Sequence, residues 1–275
     1  CTFADESPLR SRCCKGLWIG EKKMSTAGAQ GKLTIVPTPV GNLGDITLRA
    51  LEVLRSADLI LAEDTRTSSV LLKHYDVKKP LESHHKFNEF KTSSTLVARI
   101  QEGLNVVLIS DAGTPGVSDP GIILAQACIE AEVPVECLPG ATAFVPALVV
   151  SGLDASRFVF EGFLPQKKGR HSRIQALAEE ERTVILYESP FRVLKTLQAF
   201  AEVCGGERKA VAVRELTKVY EEVCRGTLQE LIEHFTEMSP RGEFVLLIAG
   251  APHEKKIHKS YRDKLREEND NLNSN

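Results

Sequence analysis

What the sequence lacks narrows it first. No stretch approaches the roughly 18–20 uninterrupted apolar residues that cross a bilayer. The longest candidate, Ile122 to Ile129, is far too short, so no membrane partner is expected. Thirty-five Lys and Arg against 37 Asp and Glu give a net charge of −2; with no global basic field, any contact with nucleic acid must rest on local patches. Among seven cysteines there is no CxxC pair, which removes the usual zinc and redox spacings. Cys128, Cys137, Cys204 and Cys224 stand singly among apolar residues and read as reduced core thiols of a cytoplasmic protein, and no metal is expected. Neither GxGxxG nor GxxxxGK(S/T) occurs, which disfavours a Rossmann dehydrogenase or a P-loop nucleotidase. No aromatic run identifies a platform for stacked bases.

What is there is material for a real core: 275 residues, 42% hydrophobic and 26% charged, enough for one large domain or two medium ones. Residues 1–31 show no sustained period and no secretory or transit pattern; they read as an extension of unknown origin, expected to be disordered. From Leu33 the chain alternates apolar runs (33–36, 59–61, 106–109, 133–138) with helical faces such as Leu48, Leu51 and Leu54 or Leu96, Val97 and Ile100. That alternation predicts parallel strands with crossover helices, an α/β domain over 32–152. Asp45 with Thr47 is the expected cap of the first helix, and Gly103 the stop of a later one.

A small-residue turn at Ser151 to Asp154 marks the boundary. Residues 153–250 read as five strands (158–160, 183–187, 210–213, 220–224, 244–249) with helices near 170–181, 191–203 and 227–236. Two strands follow each other without room for a crossover helix, so this second α/β domain has a mixed sheet. Residues 251–275 form a charged tail.

Ligands of an α/β sheet bind just beyond the carboxyl ends of its strands. Three such junctions here are rich in Gly and Pro: Pro37 to Asp45, Ser110 to Gly121, and Leu138 to Ala143. Loops of this kind present backbone rather than long side chains, which suits a flat, multi-polar ligand such as an adenosine; singly, each is also an ordinary tight turn.

Read together, Pro39-Val-Gly-Asn-Leu-Gly-Asp45, Glu63-Asp-Thr-Arg66, Asn88-Glu89, Ser110-Asp-Ala-Gly-Thr-Pro115, Ser118-Asp-Pro-Gly121, Leu138-Pro-Gly140, Glu161-Gly-Phe-Leu-Pro165, Tyr187-Glu-Ser189 and Arg214-Glu-Leu-Thr-Lys218 resemble the ribosomal RNA small subunit methyltransferase I family. That family is a branch of the tetrapyrrole methylase superfamily, and the resemblance spans about residues 33–250. It implies a two-domain class III methyltransferase that takes S-adenosylmethionine between a parallel-sheet and a mixed-sheet domain. The implied reaction is 2′-O-methylation of a cytidine in the decoding centre of 16S rRNA, by a homodimer. The implied cofactor positions are Pro39, Asp111, Gly113, Thr114, Pro115, Thr142, Ala143, Tyr187, Leu216 and Gly242. The resemblance departs at Phe87, where related chains often carry a second histidine, and at the C-terminus, which stops short of the small helical domain that many members carry.

Methyl transfer to oxygen is an in-line displacement that rests on alignment, helped by a carboxylate that accepts the hydroxyl proton. Asp64 is the first expected base and Glu89 the second; the alternative is that both bond backbone amides or Arg66. Arg66 either clamps a substrate phosphate or ties Asp64. Lys167, Lys168, Arg170 and Arg173 form the strongest basic patch and the expected RNA contact, with Lys255 to Arg262 as a second. A methylase of a cobalamin precursor and a silent RNA-binding factor with the same fold are the rival readings.

Overall fold

The aliphatic runs of the first half are buried on both faces, as parallel strands covered by helices must be. The computed structural model describes residues 30–252; the charged tail, the Lys255–Arg262 cluster and all but the end of the leading extension lie outside the described residues. β1 (Leu33–Ile35), β2 (Leu59–Ala62), β3 (Leu81–Ser83), β4 (Val106–Ile109) and β5 (Val135–Cys137) form one sheet in the order β3-β2-β4-β1-β5, all parallel. Since β1 lies between β4 and β5, the loops that follow these three strands emerge side by side.

Alternation across the strands feeds two cores. Leu33, Leu59, Leu61, Val106 and Leu108 meet α3 (Glu89–Gln101) and α4 (Ile122–Glu130) on one face. Ile60, Ala62, Val107 and Ile109 meet α1 (Leu48–Ser56) and α2 (Thr65–His74) on the other. The cap of α1 is Thr47, whose hydroxyl accepts from the Ala50 amide. Asp45 instead sits in a preceding 3-10 turn and accepts from Thr217 of the second half at 2.6 Å. Gly103 does follow the end of α3, with a φ of 110° that few other residues adopt. Of the expected core thiols, Cys128 is buried whereas Cys137, on edge strand β5, is exposed.

The second sheet holds β6 (Phe158–Phe163), β7 (Thr183–Glu188), β8 (Lys209–Arg214), β9 (Glu222–Thr227) and β10 (Phe244–Ile248), in the order β6-β7-β10-β8-β9. β6 and β7 are parallel and the other pairs antiparallel, giving the mixed sheet. Its outer face is covered by α6 (Arg170–Ala178), α7 (Val193–Cys204) and α8 (Leu228–Glu237) around the fully buried Phe200. The opposite face takes α5 (Phe144–Ser151), whose Ala147 and Leu148 pack on Ile185, Val211, Val213 and Leu247. The helix before the Ser151 turn is therefore tied to the second sheet by packing, because its all-apolar composition needs a covered surface.

Candidate active site between the two sheets

The loops after β1, β4 and β5 are tied edge to edge. Thr38 and Gly113 exchange backbone hydrogen bonds at 2.9 Å in both directions. The Thr38 hydroxyl donates to the Ser110 carbonyl at 3.0 Å, and the Thr114 hydroxyl to the Ala141 carbonyl at 3.2 Å. Gly140 is required by contact: a Cβ there would lie 2.7 Å from the Pro37 ring. This floor faces the end of the second sheet across a cavity of about 480 Å³, within the usual range for small-molecule sites.

Asp111, Gly113, Thr114, Thr142 and Ala143 line the cavity from the first half, and Tyr187 and Leu216 from the second. Pro39, Pro115 and Gly242 do not. Pro39 and Pro115 are buried beneath the floor as scaffold for Val40 and Thr114, which do line it. Gly242, at a φ of 85°, packs against the Glu215 side chain and hands the wall to Glu243. The Tyr187 hydroxyl is pushed up to about 12 by burial, against hydrogen bonds from the Phe144 and Ala143 backbone, so it is a neutral fixture at the base of α5.

Five acidic residues line this space, Glu63, Asp111 and Asp119 from the first half and Glu188 and Glu243 from the second. Burial pushes Asp119 up to about 6, and the neighbouring Glu63 charge adds to that, against a hydrogen bond from Ser110. Glu63 is raised by burial and then by Asp111, and Asp111 is raised chiefly by burial. These shifts come from like charges crowded into a partly dehydrated cleft.

The two expected bases are elsewhere. Asp64 is the N-cap of α2, accepting from the Arg66 amide at 2.8 Å and from the Arg66 guanidinium at 2.7 and 3.1 Å. Those bonds from Arg66 pull it down to about 2, which makes it a poor proton acceptor. Arg66 is correspondingly engaged with Asp64, as the alternative reading had it. Glu89 is 3% exposed, and its Oε1 accepts from the Gly121 and Ile123 amides at 2.8 and 3.2 Å. It caps the start of α4 from the neighbouring α3 on the same face of the sheet. Neither side chain lines the cavity, and both are engaged as helix caps.

The expected RNA patch divides in two. Lys167 and Lys168 are exposed. Arg170 reaches inward to Thr196 at 2.6 Å and Glu188 at 3.4 Å. Arg173 pairs with Glu161, its Nε at 2.6 Å. These two guanidiniums are held by acceptors of their own domain. Sequence reading singled out Phe87 only as a departure from related chains and did not name Phe191; both are exposed aromatics. Phe87 is 90% exposed and packs edge-on against His85. Phe191 is 95% exposed and follows Ser189 and Pro190 of the cavity wall. Single aromatics far apart in sequence carry no periodic signal.

The profile of the tetrapyrrole (corrin/porphyrin) methylases matches residues 32–232. The chain is 50% identical over 240 residues to a ribosomal RNA small subunit methyltransferase I of Synechocystis sp., covering 86% of each chain. It is 44% identical to that of Thermotoga maritima, covering 80% of this chain and 99% of the relative. Among solved structures, a diphthine synthase superposes with a TM-score of 0.63 at 18% identity, covering 81% of this chain and 92% of that one. A Thermus thermophilus uroporphyrin-III C-methyltransferase in complex with S-adenosylhomocysteine reaches 0.58 at 19%, covering 80% and 97%. These structural likenesses establish the fold alone.

Proposed function

The chain belongs to the tetrapyrrole methylase family, in its ribosomal RNA small subunit methyltransferase I branch, and from that premise we propose that it methylates small-subunit rRNA with S-adenosylmethionine. The acceptor we infer is the ribose 2′-hydroxyl of a cytidine in the decoding centre of 16S rRNA. The observation that carries the reading is a cleft whose floor is loop backbone and which is lined by three carboxylates of the first half, Glu63, Asp111 and Asp119, raised chiefly by burial.

The residues fit the methyl donor. Val40, Ala143, Leu216 and Val245 offer apolar contact for a nucleoside, and the Gly113-Thr114 and Thr142-Ala143 segments offer backbone polar groups. When bound, S-adenosylmethionine supplies a methyl on a cationic sulfur, which leaves as a neutral thioether as the C–S bond breaks and the O–C bond forms. The chain's own task is to align the hydroxyl and take its proton. Asp119 is the group for that, because it lines the cleft, is bonded to Ser110 and holds its proton affinity near neutrality. Glu63 raises that affinity through its charge.

The exposed Phe87 and Phe191 suit splayed bases, the usual mode of single-strand RNA recognition, with Lys167 and Lys168 for phosphates. The reading includes a cytoplasmic setting and a homodimer whose two chains share the RNA surface. No helix among the described residues is long and apolar enough to cross a membrane. The test is transfer of labelled methyl to small subunits that lack the modification, with the labelled nucleotide mapped. Label on a 16S ribose is expected. Label on a base or on another molecule, or no label from protein that binds the cofactor, would overturn the reading in favour of another acceptor or a silent binding factor.

A further inference from the structure

Away from the cleft, one group of side chains has the chemistry of a metal site. β9 is an edge strand, and residues two apart on a strand share a face, so Glu222 and Cys224 point the same way. On that side α8 brings His234. The imidazole Nε2 lies 3.6 Å from Cys224 Sγ and 3.9 Å from Glu222 Oε1, and the three ligand atoms fall within 4.8 Å of one another.

Both approaches are to the same nitrogen. An imidazole nitrogen carries one proton or one lone pair in the ring plane, so it serves one of these partners, not both. A single cation between the three atoms serves all of them. With Zn–S near 2.3 Å and Zn–N near 2.0–2.1 Å, tetrahedral angles set the S···N separation at about 3.6 Å, which is the Sγ···Nε2 distance here. An N···O pair on the same ion needs about 3.3 Å, so the carboxylate must close in by roughly half an ångström.

The surroundings hold the ligands in place. Arg214 Nη1 donates to Glu222 Oε2 at 3.2 Å, which leaves Oε1 toward the imidazole and orients the ligand from behind. The β8–β9 pairing fixes Glu222 opposite Arg214, and a Thr227–Glu230 capping box locks the turn from β9 into α8. Glu222 and His234 are 35% and 33% exposed, which gives an ion a way in and a solvent molecule the fourth position.

We propose that Glu222, Cys224 and His234 form a three-ligand site for a borderline-soft divalent cation of the zinc type, completed by water. Binding releases the thiol proton to solvent. The ion pins edge strand β9 to α8 and takes no part in methyl transfer.

The test is a cobalt(II) titration of the full chain, prepared metal-free and reduced. Expected are a near-ultraviolet thiolate-to-cobalt band and tetrahedral visible absorption that saturate at one equivalent and are displaced by zinc. Cys224→Ser should abolish the band, and His234→Ala or Glu222→Ala should weaken binding at least about tenfold; retained cofactor affinity reports that each variant is folded. Zinc should also raise the melting temperature of the wild-type chain and not that of Cys224→Ser. No band in the wild-type protein overturns the proposal. So does a band that survives Cys224→Ser, since the ion would then sit on another of the seven cysteines.

Discussion

The carboxylates of the two halves are treated in opposite ways. In the second half each prominent acid is saturated: Glu188 by Thr196, Arg170 and Arg192, Glu161 by Arg173, and Glu215 by Lys218. Burial alone would raise Glu188, yet the bonds from Thr196 and Arg192 hold it below the usual range. In the cleft-facing loops of the first half, Asp111 accepts from the Asp64 amide and Asp119 from Ser110, no salt bridge neutralises Glu63, Asp111 or Asp119 among the described residues, and all three are raised, chiefly by burial. The difference follows from topology. A parallel sheet sends all its carboxyl ends to one edge, where loops converge and like charges meet. The mixed sheet disperses its loop ends and supplies walls.

If that contrast separates chemistry from support, the largest effect belongs to Asp119. Asp119→Asn should lower methyl-transfer turnover by about 10²–10⁴-fold with cofactor affinity unchanged, measured on small subunits under saturating cofactor. The same change should stabilise the fold. A carboxyl raised to about 6 in the folded chain, against about 3.9 unfolded, binds more protons folded than unfolded, so its ionisation costs stability. The gain, roughly 1–2 kcal/mol once solvent screening of this partly exposed group is allowed for, should be complete above pH 6 and vanish below about pH 4, read by denaturant melts across that range.

Support residues should behave in reverse. Arg170 is 12% exposed in its side chain and faces the buried Glu188; Arg170→Ala removes one of the groups that hold that charge, leaves Arg192 and Thr196 on it, and should cost roughly 1.5–3 kcal/mol of stability, while the residual folded enzyme keeps its turnover. Phe87→Ala and Phe191→Ala should each raise KM for small subunits roughly tenfold through lost base stacking, with kcat and melting temperature held. Smallest is Arg66→Ala, which breaks an exposed pair with Asp64 and should leave turnover within about twofold. A larger loss there would restore Asp64 to the mechanism.

The same contrast explains what could be read beforehand. β1, β2, β4, β7, β8 and β10 were legible because unbroken aliphatic runs mark buried strands, and the three cleft loops because Gly and Pro punctuate them. β3 is three residues of mixed exposure, and α2 opens on Thr-Arg-Thr-Ser-Ser with little apolar content, so neither carries a period. Asp64 and Glu89 stand out as carboxylates beside motifs, yet an acid that caps a helix looks the same in sequence as one that moves a proton. Asp119 gains its character from Glu63, Asp111 and burial, three circumstances that exist only once separate loops have met.

The most direct test of this account is the pH dependence of single-turnover methyl transfer in the wild-type enzyme and in Asp119→Asn. The wild-type rate should rise with pH through a midpoint near 6, the proton affinity the cleft imposes on Asp119, and the residual rate of the substituted enzyme should lack that limb. A midpoint near 6 that persists in Asp119→Asn, or a variant as fast as wild type, would contradict it.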